Sequence, residues 1–486
     1  MSIVRNTGYN LAASLVPIII SLVVLPVYIR AIGEARYGMF ALISALVGYF
    51  GVLDLGLSAA TAQRMAAAGN NDFDAKRKIF WTAAAINLAM GLFGGALILP
   101  AALLYVDHGL SLEPAMAAEF RASAVWLVLA LPVTMITGVM SGALRGAGLF
   151  RDLGVINVWT GTLSQLLPLA AALWVSPSLT VVLPVLYLSR AVNIAWFGLV
   201  IAQKVLHSWR PQIDRGRARD LLSFGGWVSI SALVSPLLTT LDRYLIGSIS
   251  GVKAVAHYSV PYQIASKSLI LPVAIVSSML PRVASAGPEE ARELGKRGIR
   301  SIAALTGPVM IGGVVLLRPV MDWWIGPDFA QASALCGQIL IVGFWWNALG
   351  VGCNSWLHAV GRVRLSAMAH LIEVVPYLVM LFVLLKLYGI AAAALAFAFR
   401  MALDALILGK FSGFGKEIVK LSVLGGGLFA LAFALALPSG PISGPLLAKA
   451  AVPVLLSSAL SLAWLYQERT LLRSVFRWPM RADAGG

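Results

Sequence analysis

Charge is scarce in this sequence. Asp, Glu, Lys and Arg together supply 12% of the 486 residues, whereas apolar residues supply 59%, and the mean hydropathy is +0.86. A soluble protein of this length could not cover its surface with so few polar side chains. The composition therefore excludes a soluble globular protein and predicts a chain that lies mostly in lipid.

Acidic residues are scarcer than basic ones, with 21 Asp and Glu against 37 Lys and Arg and a net charge of +16. Such an excess can indicate nucleic-acid binding, but the sequence has no basic patch with interleaved aromatic residues. Lys and Arg instead separate apolar runs at intervals of tens of residues, which is the pattern that orients membrane proteins. We therefore expect no nucleic-acid partner.

Cysteine and histidine do not form the patterns of a chemical site. Cys336 and Cys353 lie seventeen residues apart in one predicted helix. That spacing corresponds to about 25 Å along a helix axis, whereas a disulfide needs Cα atoms within about 7 Å. The five histidines lack metal-ligand spacing, and no catalytic constellation or phosphate-binding glycine loop is recognisable. We expect neither an enzyme nor a cofactor or metal.

Two stretches of the chain share one plan. LPVYIRAIGEARYGMF, from Leu25 to Phe40, ends one apolar run, turns at Gly33 and starts another run. LDRYLIGSISGVKAVAHY begins 216 positions later at Leu241 and turns at Gly251. A long repeat that starts with a membrane hairpin is typical of a duplicated transporter lobe, with the substrate site between two helix bundles.

Apolar segments near the 20 residues that a bilayer requires recur along the whole chain. The sequence predicts an all-α, polytopic membrane protein of about fourteen transmembrane helices, in two pseudo-symmetric six-helix lobes plus two C-terminal helices. The predicted division is an N-lobe at 1–203, a cytoplasmic linker at 204–221, a C-lobe at 222–410, and two accessory helices with a cytoplasmic tail at 411–486.

The positive-inside rule orients this arrangement. The basic loops Lys204 to Asp220 and Arg282 to Arg300 are expected in the cytoplasm, and the acidic loop Asp107 to Arg121 outside. With both termini cytoplasmic, most of the 37 Lys and Arg residues lie inside. The first segment, Thr7 to Ile29, runs on to Arg30 without a small-residue cleavage site, so we interpret it as an uncleaved helix.

Charges inside the predicted spans mark the candidate site, because each costs about 2.5–3.5 kcal/mol or more at the bilayer centre unless it faces a cavity or a partner. The cations are Arg190, Lys267 and Arg400 near the midplane and Arg243 toward the outer side; the acids are Asp54, Asp242, Glu373 and Asp404. One interpretation is an electropositive cavity for an anionic headgroup. Asn193 and Gln263, each one turn from a cation, would add polar contacts.

A structural interpretation stays open beside it. Arg400 and Asp404 have i,i+4 spacing on one helix, and Glu373 could neutralise Lys267 or Arg243 from a neighbouring helix. Asp54 could act at the cytoplasmic gate or simply lie near a helix end. Asp54, Glu373 and Asp404 are the candidates for gating or ion coupling.

Two hairpins of the sequence are YIRAIGEARYGMFALISALVGYFGVLDLGLS and LDRYLIGSISGVKAVAHYS. Both resemble the Wzx-type flippases of O-antigen and exopolysaccharide biosynthesis. These flippases belong to the multidrug/oligosaccharidyl-lipid/polysaccharide exporter superfamily. The similarity in pattern extends over nearly the whole chain. It implies a V-shaped pair of lobes in a bacterial inner membrane. The implied activity is transfer of an undecaprenyl-pyrophosphate-linked oligosaccharide to the periplasmic leaflet by alternating access.

The resemblance also implies a cationic central cavity, to which Arg190, Arg243, Lys267 and Arg400 are the matching candidates. The implied partners are the lipid-linked oligosaccharide, membrane lipids, a polysaccharide polymerase and a chain-length regulator.

Two transporters of the same superfamily are alternatives. A multidrug antiporter is disfavoured by the extra C-terminal helices and the cation excess, and a lipid II flippase by the lack of arginines in the first two helices beyond Arg30. A non-transporting scaffold of a polysaccharide assembly complex is the alternative of another class, and the charges within the spans argue against it.

Overall fold

The computed structural model describes residues 3–51, 56–69, 72–214, 216, 240–436 and 444–467. Every regular element across these residues is a helix, which confirms the predicted all-α class. The chain forms two compact units, Met1–Ala256 and His257–Gly486. The finer division into lobes, linker and accessory helices stays a prediction.

The first unit contains long apolar helices joined by short turns. Its helices are α1 (Ile3–Ile32), α2 (Glu34–Gly51), α3 (Leu57–Ala67), α4 (Phe73–Leu104), α5 (Pro114–Ser123), α6 (Val125–Gly146), α7 (Phe150–Trp174), α8 (Leu179–Ile201), α9 (Leu241–Ser250) and the first part of α10 (Val252–Ser266). Short π-helical turns extend α4 at Tyr105–Gly109 and α8 at Ala202–Leu206.

The second unit continues in the same style. It contains the remainder of α10, a 3-10 turn at Lys267–Leu269, α11 (Ile270–Ser285), α12 (Pro288–Trp324), α13 (Pro327–Ala359), α14 (Val363–Tyr388), α15 (Ile390–Ser412), α16 (Gly415–Ala436) and α17 (Gly444–Gln467). Over the described residues, nine helical segments are long and apolar enough to cross a membrane, and shorter apolar stretches lie within α1 at Val16–Ile32 and within α17 at Ala451–Trp464. The protein is therefore a multi-pass membrane protein.

Small residues let the helices of the first unit approach closely. A Cβ atom at Gly91 would come within 2.5 Å of the Cα of Pro132, and one at Gly95 would meet the carbonyl of Val128, so α4 and α6 pack backbone against backbone. Membrane helices rely on such contacts because lipid supplies no hydrophobic force between them.

The two turns that suggested a repeat have the same local geometry. Gly33 separates α1 from α2 with φ of 81°, and Gly251 separates α9 from α10 with φ of 83°. Each glycine N–H donates to the carbonyl four residues earlier, that of Ile29 or Gly247. Only glycine adopts this left-handed backbone without strain, so both hairpins depend on it.

Candidate functional site

Arg190 and Asn193 lie one turn apart on α8. Arg190 is half-buried, and its guanidinium carbon is 5.9 Å from the ring centroid of Tyr187, within cation–π range. No acid occurs on α8, and no acid among the described residues lies within salt-bridge distance of Arg190. Its charge is therefore held by an aromatic face rather than by a carboxylate.

Asn193 is buried beside this cation. Its side-chain nitrogen donates to the Ser189 carbonyl at 3.0 Å, while its carbonyl oxygen is buried without a hydrogen-bond partner. Burying an acceptor without a hydrogen bond costs about 1–3 kcal/mol of stability, so a donor placed beside this oxygen would be stabilising. Arg190 and Asn193 together offer a fixed cation and a free acceptor on one stretch of helix.

Arg243 has an acidic neighbour at the start of α9. The fully buried Asp242 accepts the backbone N–H of Arg243 at 2.7 Å, and the Arg243 guanidinium lies 3.8 Å from the same oxygen. Tyr244 fixes this segment, because its hydroxyl donates to the Leu42 carbonyl at 2.9 Å. Arg243 is thus more nearly neutralised than Arg190.

Lys267 marks a break in a helix. It begins the 3-10 turn between α10 and α11, and its side chain is exposed. Gln263 is half-buried one turn earlier on α10. The change from α to 3-10 geometry in an otherwise apolar helix is a feature often found at functional positions.

Three buried charged residues form one cluster between α14 and α15. Arg400 and Glu373 are only 3% and 1% exposed, and the Arg400 Nε atom is 3.4 Å from Glu373 Oε2. The Arg400 guanidinium also lies 5.1 Å from the ring centroid of Tyr377. Asp404, 6% exposed, lies 3.3 Å from His370 Nδ1 on α14.

The pairing in this cluster differs from the spacing-based interpretation. Arg400 and Asp404 share α15 with i,i+4 spacing, but Arg400 pairs with Glu373 on α14, and Asp404 Oδ1 faces His370 Nδ1 on α14 at 3.3 Å without a hydrogen bond. Glu373 therefore pairs with Arg400 rather than with Lys267 or Arg243. The sequence reasoning missed His370. Its signal was present, since His370, Glu373 and Tyr377 follow i, i+3 and i+7 spacing on one helical face.

His370, Glu373 and Asp404 offer three donor atoms within 4.8 Å of one another, a set that could hold a metal ion. The neighbouring Arg400 weakens that interpretation. Two carboxylates and one guanidinium sum to a single negative charge, so a divalent ion would reverse the sign of the buried net charge rather than neutralise it. We therefore assign no metal here and regard the cluster as an ion-pair network.

The network is incompletely satisfied. Glu373 Oε1, Arg400 Nη1 and Asp404 Oδ1 are buried without a hydrogen-bond partner. Native proteins bury few such atoms, so each one needs an explanation such as strain or a functional role. Asp54, the remaining candidate, lies outside the described residues.

Comparison with known proteins identifies the family. The family described as "Polysaccharide biosynthesis protein" matches residues 3–286, more than half of the chain. This chain belongs to that family. The resemblance to polysaccharide flippases is thereby confirmed.

Individual relatives agree with this assignment. A Shigella flexneri protein named "Putative O-antigen transporter" is 26% identical over 411 residues, which cover 84% of this chain and 97% of the relative. Among solved structures, "Lipid II flippase MurJ, inward closed conformation" is similar with a TM-score of 0.74 at 13% identity, covering 96% of this chain and 100% of that one. An inward-facing multidrug resistance MATE family transporter gives 0.65 at 18% identity, covering 88% and 96%.

The two structural similarities show that the chain has the fold of these transporters. Because the sequence identities are only 13% and 18%, the similarities show nothing beyond the fold. The Shigella flexneri relative and both solved structures are transporters or flippases by name, and none of the three names describes an enzyme.

Proposed function

We propose that this protein moves an undecaprenyl-pyrophosphate-linked oligosaccharide from the cytoplasmic to the periplasmic leaflet by alternating access. Membership of a polysaccharide biosynthesis family supports the substrate class, and the similarity to an O-antigen transporter over 97% of that relative supports the transport step. The proposed setting is a cell inner membrane with both termini in the cytoplasm. A polysaccharide polymerase and a chain-length regulator are the proposed partners.

The headgroup is the part of such a substrate that is difficult to move across a membrane. A pyrophosphate and several sugars cannot cross about 30 Å of hydrocarbon unaided, whereas a polyprenyl tail can stay in lipid throughout. A flippase therefore needs a polar path for the headgroup only. Fixed cations within the spans would lower the cost of bringing the pyrophosphate into that path.

The environment of Arg190 is the observation that best supports the proposal. It is a half-buried cation on an apolar helix that has no acid, and it is held against the face of Tyr187. A guanidinium in this state keeps its charge and its fork of N–H donors available for phosphate oxygens. The free carbonyl oxygen of Asn193, one turn away, could accept a hydrogen bond from a sugar hydroxyl.

The other cations differ in how far a carboxylate neutralises them, and we propose different roles for them. Lys267 is exposed at a helix break and, with Gln263, would contact the headgroup, while Arg243 and Arg400 are partly neutralised by Asp242 and Glu373. We propose Asp54, Glu373 and Asp404 as gating or ion-coupling residues. A network with orphaned donors and acceptors is suited to exchanging partners between two states.

Substitution of Arg190 tests the proposal. Arg190→Lys keeps the charge but loses the bidentate fork, so transfer of lipid-linked oligosaccharide to the outer leaflet should fall. Arg190→Ala should abolish transfer. Arg151→Ala, an exposed arginine at the start of α7, is the matched control and should transport normally. All variants are compared at equal protein levels in the membrane, and normal transport by Arg190→Ala would remove the basis of the proposal.

A further inference from the structure

The second unit contains a cavity that the transport scheme does not use. It has a volume of about 310 Å³ and lies among α12, α13, α16 and α17. The buried glycine Gly307 on α12 borders it, and a Cβ atom built there would meet no atom within 4 Å. The space is therefore a real gap in the helix packing.

The walls of the cavity are apolar and reach the lipid-facing surface. Leu424 and Leu460 line it and are 48% and 47% exposed, while Phe429 and Trp464 lie deeper. Ser457 is a polar wall residue, but its hydroxyl already donates to the Val454 carbonyl at 2.9 Å. Ser461 and Trp345, whose Nε1 atom is buried without a hydrogen-bond partner, are further polar residues of the wall. Most of the wall is apolar, so it suits a hydrocarbon chain better than a sugar, which needs many hydrogen bonds.

The mouth of the same cavity is positively charged. Arg300 forms a bidentate pair with Glu417, with its Nε and Nη2 atoms at 2.7 and 2.9 Å from the carboxylate oxygens, and Lys420 follows one turn later with an exposed side chain. Two cations and one carboxylate leave one positive charge at this end. An anionic group placed there would complete the charge balance.

We propose that this cavity binds one anionic diacyl phospholipid, with its phosphate at Arg300 and Lys420 and the upper part of one acyl chain between α12 and α17. A volume of about 310 Å³ suits a segment of one acyl chain. Basic pockets between membrane helices on the cytoplasmic side are known to hold anionic lipid headgroups. In the proposed topology, this mouth faces the cytoplasmic leaflet.

The lipid would fill a gap in the packing of α16 and α17 against α12 and α13. Filling a void restores dispersion contacts that its walls otherwise lack. Binding to the folded state alone also raises stability, by RT ln(1 + L/Kd), where L is the concentration of free lipid. The inference is thus independent of which headgroup the protein transports.

The probe is phosphatidylglycerol. It is titrated into phosphatidylcholine nanodiscs that hold the full-length protein. The thermal unfolding midpoint and the lipid retained in native mass spectrometry are the two readouts. The midpoint should rise with the logarithm of the phosphatidylglycerol concentration above Kd, and the number of retained lipids should saturate at one. Lys420→Gln should weaken the apparent Kd about fivefold, the effect of removing one basic residue near an anionic lipid surface.

Two pairs of variants separate the site from general surface effects. Lys416→Gln removes an exposed lysine one turn before Lys420 and should leave the titration unchanged. Ala304→Leu fills the cavity from α12 and should abolish both the midpoint rise and the retained lipid, whereas Ala430→Leu on the exposed face of α16 should preserve both.

Three results would overturn the proposal. The first is an equal midpoint shift with added phosphatidylcholine, since the headgroup charge would then be irrelevant. The second is full phosphatidylglycerol binding by Ala304→Leu together with unchanged affinity in Lys420→Gln. The third is displacement of the retained phospholipid by a stoichiometric amount of a long-chain polyprenyl phosphate, which would make the cavity part of the substrate path.

Discussion

Glu373→Gln is the substitution that most directly tests the buried ion pair between α14 and α15. The change keeps the shape of the side chain but removes the carboxylate that lies 3.4 Å from Arg400 Nε. Arg400 is 3% exposed, so water cannot replace the lost partner. We expect the variant to be destabilised and to accumulate at a lower level in the membrane.

The magnitude follows from the burial of both groups. Removing one partner of a buried pair costs about 3–5 kcal/mol, because the other charge is left uncompensated. The value here should fall near 3 kcal/mol, since the Tyr377 ring still faces the guanidinium at 5.1 Å and Asp404 lies on the same helix. Arg400→Gln should cost a similar amount.

A double-mutant cycle identifies the true partner of Arg400. The double variant Arg400→Gln with Glu373→Gln should recover about 1–3 kcal/mol relative to the sum of the single changes. The cycle of Arg400→Gln with Asp404→Asn should recover less, because no salt bridge joins those side chains in the structure. The exposed i,i+4 pair Lys78–Asp74 is a control, with a coupling of about 0.3–0.5 kcal/mol.

The measurement is the free energy of unfolding of the purified protein in mixed detergent micelles, with transport assayed in parallel. If the two cycles gave equal coupling, or the Arg400–Asp404 cycle gave the larger one, the pairing described here would be refuted. The i,i+4 interpretation from the sequence would then be the better one.

Three further predictions concern packing, pH dependence and topology. Gly91→Ala should destabilise the protein by about 1–3 kcal/mol in thermal unfolding, since its Cβ would overlap Pro132; Gly48→Ala, on the exposed face of α2 with nothing within 4 Å, should be neutral or stabilising. Burial opposes ionisation of Glu119, but hydrogen bonds from Arg36 and the Leu179 N–H prevail and hold its pKa below the ordinary value of about 4.3. The stability from this carboxylate is therefore full at neutral pH and is lost as the pH falls through the lowered pKa; a pH-dependent unfolding difference from Glu119→Gln that grew toward low pH would contradict this. Cysteines introduced into 204–220 or 282–300 should resist an impermeant reagent applied from outside, and labelling of either segment would reverse the proposed orientation.

The fold could be predicted from the sequence because lipid leaves few choices. A span must satisfy its backbone internally, so an apolar run of sufficient length is a helix whatever its neighbours are. The glycine turns at Gly33 and Gly251 were also predictable, because a glycine between two apolar runs is a local signal. Both adopt the left-handed backbone that glycine permits, with φ of 81° and 83°.

The partners within the site could not be predicted in the same way. Spacing along α15 places Asp404 one turn from Arg400, and nothing local to that helix says that Glu373 lies closer. The pairing depends on the rotation of α14 about its axis, which follows from packing along its whole length. A Cβ at Gly350 on α13 would come within 2.9 Å of an Asp404 oxygen, so a third helix also restricts where that carboxylate can turn.

The face of α14 that carries the site nevertheless has a signature. His370, Glu373 and Tyr377 recur at helical spacing in a segment that is otherwise apolar, and all three contact side chains of α15. A single intramembrane charge is ambiguous, because it can face a cavity, a partner or a water-filled path. Three polar side chains on one stripe identify the buried face of their helix. The neighbour across that stripe must then supply the opposite charge, and in this chain α15 does so with Arg400.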